Sequence, residues 1–508
     1  MKKLYLLAAV AAMTVAANAA TEGRWTYTTD GYSATVTKYT PPVDLLAWAQ
    51  AHPVGAWPKM FADTIPATLG GKPVVAIGDG AFENVIGLMA LDMPTSIYKI
   101  GARAFYNCIP LGGRLDLRQV MEIGDSAFCN TSDPEFYFQA QPGAIRIGKG
   151  AFLTTNNPNG LDKEAVMALF SAFWGGDDPF EPEDPDETDE VSPIGSIMVP
   201  FFMLDAYKMN LAANEDAPFY YHAQEESIYG VEYAAGNVVY KADGIWEGQP
   251  GQWSLVNGYW ATGEVTIPDE IYNAPVNEIV NDAFLKINAG TAALLGIDNI
   301  SNTNLTGINL GENISIIFDQ AFYGCTGLKK LDLKNTFEVG QFAFANCNNI
   351  EEIHLRKSAS DCYLNQLCFA NIDLGAYWMY LMSQYMPVPQ PSAPDMTHVI
   401  PAVVYVPQGE LQNYIDYYAY EAESEFEPAG PLYYFYKAGR LLEEGDTPQP
   451  GTRGDLTGDN TVDVDDLNLV INMMLHKANE TAAADLNHDG SVDVDDLNTI
   501  INIMLRRE

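Results

Sequence analysis

The sequence predicts a mainly β solenoid, made of two repeat arrays with capping hairpins and insertions, joined to a small α-helical module built on two acidic loops. Three observations carry this. A six-residue motif, "IGxxAF", returns at near-constant spacing; a strand pattern "LxxLxL" precedes its later copies; and an acidic twelve-residue segment occurs twice near the C-terminus. With 508 residues, 47% of them hydrophobic, there is ample material for packed cores.

Residues 1–20, "MKKLYLLAAVAAMTVAANAA", place two lysines before an apolar run and end on Ala17, Asn18 and Ala19. That is the pattern of a cleaved export signal, the alternative being an uncleaved anchor. No later apolar stretch approaches the roughly 18 to 20 residues needed to span a bilayer. The expectation is a secreted protein.

"IGDGAF", "IGARAF", "IGDSAF" and "IGKGAF" put Ala-Phe pairs at Ala81, Ala104, Ala127 and Ala151, in steps of 23, 23 and 24 residues. A second series runs through Ala283, Ala321 and Ala343 to the variant pair Cys368 and Phe369. Ahead of its members lie Leu305, Ile308, Leu310, then Leu328, Leu331, Leu333, then Ile350, Ile353, Leu355. Such a period reads as one short strand and a turn per rung, whose apolar face is buried only when a neighbour stacks on it. The phenylalanines of the pairs, among them Phe82, Phe105, Phe128, Phe322 and Phe344, are expected to point inward. These elements resemble the BspA-like leucine-rich repeats of bacterial surface proteins, the likeness being clearest in "IGARAFYNC". The resemblance implies two leucine-rich repeat arrays and associates them with adhesion and protein binding, without naming a ligand.

Two arrays follow from an internal duplication. "TIPATLGGKPVVAIGDGAF" from Thr64 aligns with "TIPDEIYNAPVNEIVNDAF" from Thr266, at an offset of 202. The exits match too, "VPFFMLDAY" (Val199 to Tyr207) with "VPQGELQNY" (Val406 to Tyr414). The first array is assigned to residues 21–215 and the second to 216–440, each opened by a segment of alternating polarity that reads as a capping hairpin. Two insertions occupy matching places. The first pairs a helical face of Val166, Leu169, Phe170 and Phe173 with an acidic stretch, 176–192. The second is the aromatic "GAYWMYLMSQYMPVPQPSAP". They read as a packed helix and a solvated acidic loop, or as a platform on which Tyr377, Trp378 and Tyr380 stack on a ligand.

Six cysteines in an exported chain are compatible with disulfides. Cys108, Cys325 and Cys347, however, occupy one repeat position, which suits a small buried filler. Free thiols and a Cys325–Cys347 or Cys362–Cys368 bridge are both open on sequence grounds.

A net charge of −40 disfavours nucleic acid and anionic membrane surfaces and favours cations. "HExxH", "GxSxG", "CxxC" and a glycine-rich phosphate loop are absent. Carboxylates alone would allow a glycosidase pair, but repeats, caps and insertions account for nearly all the chain, so a non-catalytic binding protein is expected.

Behind a linker at 441–452, "DLTGDNTVDVDD" (455–466) returns as "DLNHDGSVDVDD" (485–496). A twelve-residue calcium loop offers oxygens from positions 1, 3, 5, 7, 9 and 12. In the first loop these are Asp455, Thr457, Asp459, the carbonyl of Thr461, Asp463 and Asp466. In the second they are Asp485, Asn487, Asp489, the carbonyl of Ser491, Asp493 and Asp496. Two calcium ions would neutralise carboxylates that otherwise repel. Helical stripes follow, Leu467, Val470, Ile471, Met474, Leu475 and Leu497, Ile500, Ile501, Met504, Leu505. Fourteen of 21 residues match between 455–475 and 485–505.

A duplicated loop and exiting helix over residues 453–508 resembles a type I dockerin. The resemblance implies calcium-dependent docking onto a cohesin module of a scaffold or surface protein, with retention at the cell surface by that route. The partner-recognition positions it implies are Val464, Asp465, Val494 and Asp495, with Asn472, Met473, Asn502 and Ile503 on the helices. The sequence departs from the family at Asn460, in place of glycine, and at Thr457, in place of Asp or Asn. The alternative role implied by the resemblance is a dockerin-bearing component of polysaccharide degradation, either an atypical glycosyl hydrolase or a carbohydrate-binding accessory.

Overall fold

The computed structural model describes residues 19–43, 60–132, 134–155, 191–193, 195–212, 228–234, 236–245, 248–295, 297–383, 394–422, 428–446, 454–457, 462–475, 484, 486 and 492–505. The export signal, the helical face at Val166 to Phe173 and most of the acidic stretch therefore lie outside the described residues. Strands dominate, helices are few, and the chain divides into two compact units, 1–231 with 295–298 and 232–294 with 299–508.

In the first unit, the strands Ala20–Glu22, Trp25–Thr29 and Ala34–Tyr39 form an antiparallel meander. A parallel ladder grows from it through Lys72–Ile77, Lys99–Ile100, Glu122–Ile123 and Arg146–Ile147. Each step pairs equivalent residues of successive motifs, as in Ile77↔Ile100 and Ile123↔Ile147. A second series pairs Phe61–Thr64 with Leu88–Asp92, and Gly113–Asp116 with Pro134–Tyr137 and Ser196–Pro200, again in parallel. Each repeat thus contributes a strand to two ladders, and the apolar residues between them meet in one core.

The Ala-Phe pair makes that core. Phe82, Phe105, Phe128 and Phe152 are fully buried and stack in sequence, with centroid separations of 4.8, 5.0 and 5.6 Å. Backbone bonds set the pitch: the amides of Phe82, Phe105 and Phe128 donate to the carbonyls of Ala104, Ala127 and Ala151, each at 2.7 Å. The motif's glycine answers to the same close approach, since a Cβ at Gly124 would fall 2.3 Å from the amide nitrogen of Ala102. Beside the rings runs an asparagine ladder, exposed at Asn84 and buried at Asn107 and Asn130. Asn107 Nδ2 donates to Asn84 Oδ1 (2.9 Å) and Asn130 Nδ2 to Asn107 Oδ1 (2.8 Å), all three with positive φ near 60°.

The second unit repeats the plan. The hairpin Val238–Asp243/Gln252–Asn257 leads into the parallel strands Ala274–Ile279, Ile316–Ile317, Glu338–Val339 and Tyr363–Leu364. A second parallel series joins Lys330–Asp332, Glu352–His354, Val403–Val406 and Leu441–Glu443, so the start of the linker expected at 441–452 is instead the last strand of this ladder. Phe284, Phe322, Phe344 and Phe369 stack at 4.3, 4.9 and 6.0 Å. The exit segments do equivalent work in the two units. Tyr207 and Tyr414 are fully buried, and their hydroxyls donate to the carbonyls of Ala140 (2.6 Å) and Lys357 (2.9 Å).

All six cysteines are buried free thiols. Two of them link repeats, Cys108 Sγ donating to the Phe82 carbonyl (2.9 Å) and Cys347 Sγ to that of Phe322 (3.0 Å). Among the described residues no helix is long and apolar enough to cross a membrane.

Candidate functional site: the two acidic loops and their helices

Each acidic segment runs into a helix, Val464–Met474 and Val494–Met504. The first starts where the sequence requires it. Asp463 is the N-cap and accepts the Asp465 amide at 2.8 Å, while Asp466 accepts the Asp463 amide in return, a reciprocal capping box. The two helices meet around a small core of Val470, Met473, Ala484, Leu486, Val492 and Ile500.

Asp466 and Asp496, the twelfth residues of the two loops, are fully buried. Asp466 Oδ1 accepts the amides of Leu456 (2.7 Å) and Thr457 (2.8 Å), and Oδ2 that of Asp463 (2.9 Å). Asp496 is held alike, with Leu486 N at 2.6 Å and Asp493 N at 2.9 Å. A carboxylate taken out of water needs such donors or a cation. These ones tie the start of each loop to its helix. Thr457 Oγ1 is buried without a hydrogen-bond partner. Buried carboxylate oxygens and an unsatisfied hydroxyl are hard oxygen donors and fit calcium better than a thiophilic metal.

Of the expected ligands, Asp455, Thr457, Asp463, Asp466, Asp493 and Asp496 are described. Asp459, Thr461, Asp485, Asn487, Asp489 and Ser491 lie outside the described residues. Among the described residues no three His, Cys, Asp or Glu side chains converge as a metal site.

The expected recognition residues separate. Val464 and Val494 are exposed by 56% and 55%, and Asp465, Asn472 and Asn502 are exposed as well. Ile503 is half-buried, and the side chain of Asp495 is not among those described. Met473, by contrast, is 2% exposed and packs in the core with Val470, so it offers no surface to a partner. Leu475 and Leu505, expected within the buried stripes, are exposed instead. Each directly follows the last helical residue, where the side chain leaves the packed face. The result is a matched pair of apolar positions on each helix, Val464 with Leu475 and Val494 with Leu505. The leucines were missed because their spacing fits the stripe, although the equivalence of the two ends could have drawn attention to them.

The described part of the aromatic insertion, the helix Leu374–Ser383, is packed rather than open. Tyr380 is buried, Tyr377 meets Phe342 edge to face at 5.1 Å, and Trp378 lies against Gly290.

Comparison with known proteins agrees with this division of the chain. Residues 68–160 and 295–376 match the family described as BspA type leucine rich repeat region, in six copies. The chain therefore carries BspA-type leucine-rich repeats. Residues 453–505 match the dockerin type I domain, which makes the C-terminal module a type I dockerin. No curated protein matches. Among solved structures, the chain is similar to a leucine rich cell surface protein from Faecalibacterium prausnitzii, with 18% identity over 67% of this chain and 89% of that one and a TM-score of 0.21. It is also similar to a leucine-rich repeat protein from Bacteroides ovatus (15% identity, 78% and 96% coverage, TM-score 0.20). A third similarity is to the pneumococcal vaccine antigen PcpA (11%, 79% and 96%, TM-score 0.19). Neither matched family is catalytic, and the two together support a protein-binding, cohesin-docking role. Type I dockerins are calcium-binding modules.

Proposed function

We propose that this is a secreted, non-catalytic adhesion or binding protein in which two leucine-rich solenoid arrays, 21–215 and 216–440, engage a ligand. The segment that follows the array strand Leu441–Glu443 carries the dockerin at 453–508, which docks onto a cohesin module and retains the protein at the cell surface. The parallel ladders with their stacked phenylalanines support the solenoid reading. The observation that carries the docking reading is the pair of buried carboxylates, Asp466 and Asp496, each fastening an acidic loop to the helix behind it.

Two calcium ions would be held by the six ligands named for each loop and would supply the positive charge that lets those carboxylates crowd together. The chain's own part is mechanical. Asp466 and Asp496 hold the start of each loop against the first turn of its helix. The helices then present Val464, Leu475, Val494 and Leu505 on a fixed frame. A core as small as that around Val470 and Ile500 cannot by itself offset the chain entropy of a module of about fifty residues, so the ions are needed for folding as well as for docking.

The test is a pull-down of a cohesin module by the purified chain. Binding should be strong in millimolar calcium, abolished by chelator, and lost in Asp466→Ala/Asp496→Ala with the arrays still folded. Binding indifferent to chelator would refute the reading.

A further inference from the structure

The exit helix of the second array, Leu411–Tyr418, carries more aromatic surface than closing the array requires. Its inward tyrosines, Tyr414 and Tyr418, are buried and donate to the carbonyls of Lys357 (2.9 Å) and Ala359 (3.3 Å). Tyr417 and Tyr420 are left outside, 59% and 44% exposed, and Tyr436 of the neighbouring helix Tyr433–Lys437 is 44% exposed. At the register that aligns Tyr207 with Tyr414, the first array has Asn210 and Ala213 in place of Tyr417 and Tyr420, so the repeat plan closes without these rings. Their surroundings hold them in place and leave them open. Gln366 Nε2 donates to the Tyr420 hydroxyl (3.2 Å), and a Cβ at Gly430 would fall 2.9 Å from Tyr420 Cδ1, so this ring lies against a bare glycine. The Tyr433 hydroxyl donates to Glu421 Oε1 (3.2 Å), Tyr434 meets Tyr433 edge to face at 5.1 Å, and Lys437 Nζ stands 5.9 Å from the Tyr433 centroid. Grouped exposed rings mark interaction surfaces, where tyrosine supplies contact area at low entropic cost.

Charge selects the partner. Residues 410–437 hold seven tyrosines and six acidic side chains against one basic one, Lys437. Asp416 precedes Tyr417 and Glu421 follows Tyr420, and both are exposed. Rings bordered by carboxylates attract a cation that can lie flat on an aromatic face, which suits a planar guanidinium better than a compact ammonium. The same charge repels an acidic partner. We propose that this cap is a docking surface for an arginine-rich polypeptide segment, whose guanidinium groups stack on Tyr417 and Tyr420 while Asp416 and Glu421 accept their N–H groups. This deepens the reading of the arrays as ligand-engaging and rests on it.

The experiment titrates the full chain with a labelled peptide of alternating arginine and glycine, beside lysine–glycine and glutamate–glycine peptides of the same length. The arginine peptide should bind more tightly than the lysine peptide, and the glutamate peptide should not bind. Tyr417→Leu/Tyr420→Leu should weaken the arginine peptide about tenfold, while Tyr417→Phe/Tyr420→Phe, which keeps both rings, should stay within about threefold of the native chain. Asp416→Asn/Glu421→Gln leaves the rings in place and should also weaken binding, by about threefold or more. Tyr32→Leu, at a side chain 87% exposed in the first array, should change nothing. Equal affinity for the arginine and lysine peptides, unaltered in the Leu pair, would show diffuse attraction to an acidic chain and overturn the proposal. Loss of binding in the Phe pair as large as in the Leu pair, or a neutral glucan whose binding the Leu pair abolishes, would also overturn it. A ligand that the chain still binds when the Leu pair is in place would preserve the binding role of the arrays and remove this surface from it.

Discussion

Replacing Phe105 with alanine removes the middle ring of the first stack. The ring is fully buried, 4.8 Å from Phe82 and 5.0 Å from Phe128, so two ring contacts are lost and a cavity opens between neighbouring repeats. Buried phenylalanine truncations cost roughly 3 to 5 kcal/mol, and each aromatic pair carries about 0.5 to 1.5 kcal/mol beyond its buried area. The upper part of that range is therefore expected. A chain of two units need not unfold in one step, so the assay is native-state hydrogen exchange rather than a single melting curve. The amides of Phe82 and Phe105, bonded to the next repeat, should lose protection by about a hundredfold or more, since each 1.4 kcal/mol is a factor of ten. Tyr98→Ala in the same repeat, a side chain 51% exposed, should change them little, within about 0.5 kcal/mol. Equal effects from the two substitutions would show that the ring stack does not hold the repeats together.

Gly124→Ala should be as damaging as loss of a core ring, because its Cβ would lie 2.3 Å from a backbone nitrogen that cannot turn aside; a soluble variant with native exchange protection would refute the close approach. The six thiols should resist a maleimide reagent in the native chain and all react after denaturation, since burial raises every one, Cys129 and Cys362 to about 11 and Cys347 to about 12, which suppresses the reactive thiolate. Fewer than six thiols in the denatured, unreduced chain would reveal a bridge. The Asp395 carboxylate, 3.1 Å from His398 Nδ1, raises the His398 pKa, and the same hydrogen bond lowers that of Asp395. The histidine contribution is then fully present below its unfolded pKa of about 6.5 and lost as pH rises through the higher folded value. The aspartate contribution is present above its own unfolded pKa of about 3.9 and lost as pH falls through the lower folded value. Both groups are half exposed, so the gain is under about 1 kcal/mol and is greatest between those two unfolded values. His398→Ala should flatten a shallow decline in stability above neutral pH, and an unchanged profile would refute the assignment.

Repetition made much of this protein legible from its sequence. Phe82, Phe105, Phe128, Phe322 and Phe344 had to be inward because a fixed period places one residue type at one position, and burial follows from apolarity without knowledge of the chain path. The duplication of the acidic segments was legible in the same way, and the structure describes the twelfth residue of each, Asp466 and Asp496, as a buried carboxylate. Tertiary structure decided what depends on neighbouring backbones. Gly124 is glycine because the previous repeat passes within a van der Waals radius, and Asn107 and Asn130 can be buried because each is hydrogen-bonded to the asparagine of the repeat before it. Helical period placed Leu475 and Leu505 in the core and the dockerin resemblance placed Met473 on the partner face, whereas the fold does the reverse. Periodicity describes an endless helix, and these helices stop one residue short of the leucines, so the geometry of the helix end decides which side chains remain for a partner.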